Sequence, residues 1–116
     1  MDKQGKVWGH TSEIFNKNNV EVHRIVGNAN THCSMHKHEH KYNMFFVESG
    51  ALVIKRWKTD YDFVDSTHMG AGTSCVVPPG EYHQFIVLED CVVYEFYWVE
   101  IDPKDIVRES VGGIDE

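Results

Sequence analysis

Apolar residues recur along this chain in short runs with turn residues between them. Val20-Glu21-Val22-His23-Arg24-Ile25-Val26 alternates and is followed by Gly27-Asn28. Residues 44–47 precede Ser49-Gly50, and residues 51–57 follow at once. A tight turn between two apolar runs predicts a hairpin. Residues 60–65, 73–77, 83–88 and 91–99 read as further strands, punctuated by Gly70-Ala71-Gly72, Pro78-Pro79-Gly80 and Glu89-Asp90. Seven or eight strands at this spacing predict an all-β sandwich or barrel. Helix is expected only at residues 102–108, for one or two turns. There Asp102 can cap, Pro103 suits the first helical position and Asp105 falls in the first turn. The last strand is largely apolar on both faces. Val92, Tyr94, Phe96 and Trp98 share one face, and Val93, Glu95, Tyr97 and Val99 the other. Such a strand is expected to be covered twice, by the core and by a partner subunit, which predicts a homodimer. The pattern leaves open which face lines the barrel.

Composition narrows the class. At 116 residues the chain is expected to form one domain, with a barrel over about 20–101 and a tail over 102–116. Apolar residues make up 41%, enough for a core without staples. A formal charge of −7 with no Lys/Arg cluster argues against a nucleic-acid partner. No apolar run approaches the roughly 20 residues of a membrane span. A polar N-terminus and three cysteines, an odd number, predict a cytoplasmic protein with reduced thiols. Cys33 and Cys75 are expected to be core thiols.

Histidine is the unusual component: eight residues, four of them between positions 32 and 40. In an extended segment His32, Ser34, His36, His38 and His40 share one parity, so four imidazoles would point the same way. Imidazoles two residues apart, about 6.6 Å along a strand, can converge on one cation at about 2.0–2.2 Å. His36 and His38 form such a pair, as do His38 and His40. A third ligand has to come from elsewhere, and His83, opening a strand after Pro78-Pro79-Gly80, is the candidate. Imidazole-rich sites take a divalent transition metal (Fe, Ni, Zn, Mn, Co or Cu) rather than Mg or Ca. Tyr82, beside His83, and Glu95 are candidate acid–base groups.

Taken together these motifs resemble the cupin superfamily. Gly72, five residues, Pro78, Pro79, Gly80, two residues and His83 match its second motif up to the histidine, with Val87 where the family has Asn. His36, His38 and Gly50 match its first motif, with Asn43 at the glutamate position and Asn30 at the leading glycine. The resemblance implies a jelly-roll β-barrel with one metal at its mouth. It selects His36, His38 and His83 as ligands, with Asn43 as a neutral fourth. His40 then stands behind the ligands or faces substrate, a third candidate for a catalytic role.

A finer resemblance is to the cupin domain of type II mannose-6-phosphate isomerases. It is carried by Val7-Trp8-Gly9, by the segment from Ser34 to Asn43, by Val47-Glu48-Ser49-Gly50 and by Asp105-Ile106-Val107-Arg108. In that family position 36 is glutamine and position 43 glutamate. Three imidazoles and an amide would leave the site at net +2 and favour an anionic ligand. The expectation is a metal-binding cupin acting on a small polar molecule, a sugar phosphate or carboxylate, by isomerase, epimerase or lyase chemistry. The alternatives are a three-histidine iron dioxygenase and a non-catalytic sugar- or carboxylate-binding module.

Overall fold

The computed structural model describes residues 3–58, 64–99 and 107–115. All regular structure among them is β. The strands are β1 (Lys3–Lys6), β2 (Gly9–Lys17), β3 (Val20–Gly27), β4 (Thr31–His32), β5 (Tyr42–Trp57), β6 (Val64–Met69), β7 (Ser74–Val77) and β8 (Tyr82–Trp98).

The long strands β5 and β8 are the spine. They pair antiparallel along their whole length, from Tyr42↔Trp98 to Trp57↔Tyr82. Irregularities cluster between Val47 and Leu52, where both strands bend and pass from one wall of the barrel to the other. The first half of β5 and the second half of β8 share a wall with β1, β2, β3 and β7. Their other halves share the opposite wall with β4 and β6.

Two expected turns are therefore bends within strands. Gly50 does not close a hairpin, and Glu89-Asp90 does not separate two strands. Gly50 has φ 83°, and its Cα lies against Asp90 and Cys91 of β8, so the chain turns a corner while still paired.

The β1–β2 pair was not anticipated. β1 is polar and fully exposed at the sheet edge, and the large apolar residues of β2, Ile14 and Phe15, are adjacent and exposed, so hydrophobic alternation gives no signal there. The two-residue connection Asn18-Asn19 between β2 and β3 has φ 54° and 66°, which asparagine tolerates. The helix expected at residues 102–108 lies, as far as Ile106, outside the described residues; Val107 and Arg108 have no regular structure.

The core fills the space between the walls. Ile25, Phe45, Val47, Leu52, Ile54, Val77, Val87 and Val93 are almost wholly buried. Cys33 and Cys91 are buried with them, and all three thiols are free. Burial raises each thiol, Cys33 to about 11, so none is a thiolate at neutral pH.

Candidate metal centre

Two polar side chains stand out in this core: Asn43 and His83 are almost completely buried. His83 begins the inward face of β8, which continues through Phe85 and Val87. His36 forms an isolated antiparallel bridge with it, exchanging both backbone hydrogen bonds at 2.8 and 3.0 Å. His38 follows in a loop held by Gly80, whose N–H donates to the His38 carbonyl at 2.7 Å. The bend after Pro78-Pro79 thus fixes both histidine-bearing segments.

The three rings converge. Centroids are 4.5 Å apart for His36–His83, 5.2 Å for His36–His38 and 5.4 Å for His38–His83. One nitrogen of each ring lies within 4.8 Å of the other two. The Nδ1 atoms of His36 and His83 lie 2.9 Å from the Ser34 carbonyl and 3.0 Å from the Glu81 carbonyl. A carbonyl only accepts, so each Nδ1 carries the proton and each Nε2 keeps its lone pair. Glu81 is itself held by an ion pair with Arg56, which stands opposite His83 on β5.

Among the described residues, the buried side-chain polar atoms without a partner are His38 Nε2, His83 Nε2 and both amide atoms of Asn43. An orphaned buried group costs about 1–3 kcal/mol. These orphans belong to three of the four expected ligands, and they fit a cation.

The continuous strand of four imidazoles does not form. Cys33 takes the inward position opposite Phe85, and His32 points out. Two residues, Ser34 and Met35, then separate Cys33 from His36, against one, Gln84, between Phe85 and His83. The extra residue leaves Met35 exposed and swings His36 inward. His40 does not join the trio. It is exposed and lies with His38, Lys37 and Lys41 along a cleft of about 510 Å³. Tyr82 is a correction: it sits on the outward face of β8, 42% exposed, with the Lys37 ammonium 5.0 Å from its ring centre. Alternation along β8 separates it from His83.

Glu95 does face the site. The inward face of β8 is Val93, Glu95 and Tyr97, opposite Ile25, His23 and Glu21 of β3. A second cleft of about 690 Å³ is lined by His36, His23, Glu95, Tyr97, Trp8 and Phe85, among others. Tyr97 Oη donates to Glu95 Oε2 at 2.6 Å. Burial raises the Glu95 carboxyl, against the Tyr97 hydrogen bond, His23, His36 and Asn43, which pull it down. Burial also raises Tyr97, reinforced by Glu95, so its hydroxyl stays protonated. Tyr97 lines both clefts, its ring 5.1 Å from His38 and 5.6 Å from His23. Neither Tyr97 nor His23 was anticipated. Odd-numbered positions face inward from His83 to Phe85 and Val87 and again from Cys91 to Tyr97, so treating β8 as one strand would have found Tyr97.

Burial holds His38 down to about 4, with His36, His83 and Lys41 acting in the same sense and Glu21 against. Burial likewise lowers His83. An unfolded histidine titrates near 6.5. Between that pH and about 4 the unfolded chain binds a proton that folded His38 refuses, so stability falls as pH falls. The urea midpoint of the metal-free protein is expected to drop from pH 7.5 to pH 5. The drop should be shallower in His38→Asn; an equal drop in both proteins would rule His38 out as its source.

The fold is an all-β jelly roll of the cupin type, and three histidines converge within it. No protein-family model and no curated protein sequence matches the chain. Among solved structures it is similar to KdgF from Halomonas sp. (TM-score 0.74, 16% identity, covering 87% of this chain and 90% of that one). It is also similar to a variant of Bacillus subtilis oxalate decarboxylase (TM-score 0.77, 12% identity, 84% of this chain and 27% of that one). A third is a cupin-2 domain containing protein from Shewanella frigidimarina (TM-score 0.60, 21% identity, 74% and 76%). The chain spans about a quarter of the decarboxylase, and these likenesses define the fold.

Proposed function

We propose that the protein is a metal-dependent enzyme that moves a proton on a small anionic molecule, a sugar phosphate or a carboxylate, in an isomerase, epimerase or lyase reaction. The observation that carries this reading is the histidine trio with its unpartnered buried nitrogens beside a carboxylate-bearing cleft. His36, His38 and His83 would hold one divalent transition metal, with the Asn43 carbonyl oxygen as a neutral fourth ligand. Bound there, the metal supplies Lewis acidity toward a substrate oxygen. Mn(II) centres in the structurally similar oxalate decarboxylase support a metal on this scaffold. The resemblance to type II mannose-6-phosphate isomerases supports the sugar-phosphate class.

Glu95 is the proton-transfer group of this reading. Its raised affinity for protons brings it toward neutral pH, where a general base works best. Tyr97 orients it through the 2.6 Å hydrogen bond. Phe85 and Trp8, in edge contact at 5.0 Å, wall the cleft and limit water near the carboxylate.

The test has two parts. Untagged protein purified without added metal should contain about one transition-metal ion per chain. Sugar phosphates and 2-keto or 2-hydroxy acids are then incubated in D2O, and deuterium uptake at carbon is followed by proton NMR. Uptake should be lost at least about 100-fold in Glu95→Gln while metal content is unchanged. Exchange in no candidate, with ligand binding intact, would replace the enzyme with a binding module. Oxygen consumption with Fe(II) would replace it with a dioxygenase.

A further inference from the structure

The β5–β8 ladder ends at Trp57↔Tyr82, so Glu81 lies one residue beyond the last pair. Its carbonyl nevertheless takes the His83 Nδ1 proton at 3.0 Å, and the direction of that carbonyl sets where Nε2 points. Arg56 is the side chain that reaches Glu81. It is paired with His83 in register and extends the inward face of β5 that carries Leu52 and Ile54. Its Nε donates to Glu81 Oε1. The two side chains are 19% and 12% exposed, the most buried ion pair among the described residues. His36 is held differently: its Nδ1 proton goes to the carbonyl of Ser34, which is exposed.

We propose that the Arg56–Glu81 ion pair is a positioning device for His83. It clamps the Glu81 residue so that the carbonyl holds His83 as the Nδ1–H tautomer, with Nε2 unprotonated and free for a cation. The inference rests on the reading of His83 as a metal ligand. A neutral imidazole carries its proton on either nitrogen, and only one of the two forms binds through Nε2. Without the clamp little fixes the choice, because Glu81 follows Gly80, at φ 81°, and stands outside the ladder. Stability does not account for the pair. Taking two charges out of water is costly, and apolar replacement of a buried pair is often neutral or stabilising. Arginine suits the role, because a planar guanidinium fixes direction as well as distance. Groups that orient a ligand in this way are commonly worth about 10–100-fold in metal affinity.

Two readouts on the full chain test this. In the metal-free protein at pH about 8, where an unperturbed imidazole is neutral, long-range proton–nitrogen NMR reports which ring nitrogen of each histidine carries the proton. Wild-type His83 should be the Nδ1–H form. In Arg56→Met and Glu81→Gln its two nitrogen signals should move toward a tautomer average, while His36 keeps its own. Co(II) affinity, by titration calorimetry, should fall about 10–100-fold in both variants, and the visible spectrum of the Co(II) form should change. The sign in Arg56→Met separates positioning from charge, because loss of a nearby positive charge would by itself tighten cation binding. Arg56→Glu combined with Glu81→Arg should restore both readouts. Should a single variant fail to fold, Arg56→Met combined with Glu81→Leu takes its place; its urea midpoint should stay close to that of the wild type. An unchanged His83 tautomer in these variants, or tighter Co(II) binding in Arg56→Met, overturns the inference. A wild type that binds no Co(II) would instead overturn the metal reading of the trio, and the NMR arm would decide the role of the ion pair alone.

Discussion

His83→Ala is expected to abolish stoichiometric binding of Co(II) or Ni(II) while the barrel stays folded. His83 is 1% exposed, and its ring packs against Phe45 with centroids 6.2 Å apart. Its Nδ1 proton is taken by the Glu81 carbonyl, so only Nε2 is left to bind, and that atom has no partner within the protein. Removing it deprives a cation of one of three imidazoles. Partners that merely orient a ligand are worth about 10–100-fold in affinity, so loss of the ligand should exceed about 100-fold. Stability changes less. The substitution leaves a small void, but it also removes an orphaned polar atom, and the apolar core remains. His38→Ala should behave alike, whereas His40→Ala should keep the metal. Titration calorimetry and the visible spectrum of the Co(II) form measure both. Stoichiometric metal retained in both His83→Ala and His38→Ala would show that the trio is not the ligand set.

The second large effect is on folding. Gly50→Ala should destabilise the protein by about 2–6 kcal/mol, adding left-handed strain to overpacking. At φ 83° any side chain is strained, and a Cβ would sit 2.2 Å from the Asp90 carbonyl oxygen and 2.7 Å from Cys91 Cα. These are backbone atoms of β8, so relief requires β5 and β8 to part at their common bend. Gly72 and Gly80 provide the control. Their φ values are 83° and 81°, but nothing lies within 4 Å of an added Cβ. Alanine at either should cost only about 1–2 kcal/mol of backbone strain. Urea unfolding of the three variants separates clash from strain. Equal losses at Gly50 and Gly72 would remove the steric argument.

The convergence of the histidine trio was legible in the sequence because metal chemistry demands a residue type as well as a spacing. His36, His38 and His83 converge, although the reason given for the first two was incomplete. Parity in an extended strand would have brought His32 and His40 along; a one-residue bulge at Met35 selects His36 instead. Asn30, where the motif carries glycine, has φ 65°. Asparagine is the commonest non-glycine residue tolerated there, so the departure preserves the backbone. Strand ends were less legible. Gly50 and Glu89-Asp90 have the chemistry of turns, and local sequence does not tell a hairpin from a bend that keeps its pairing. That error hid the continuity of β8, and with it the inward face carrying Glu95 and Tyr97. The β1–β2 pair was invisible because an exposed edge need not alternate. Glu95 was found as a carboxylate on an otherwise apolar strand, while Tyr82 was misplaced because adjacency in sequence means opposite faces in a strand.

The bend at Pro78-Pro79-Gly80-Glu81 touches both histidine-bearing segments, through the Gly80 N–H on one side and the Glu81 carbonyl on the other. Its hydrogen bonds are made by the chain alone, and the core beneath it is apolar. On the proposed reading, the socket is therefore finished before its ion arrives. Maturation and supply are then uncoupled: in cells starved of the ion, the polypeptide would accumulate intact as a reservoir that loads when the ion returns, instead of being cleared as an unfolded chain.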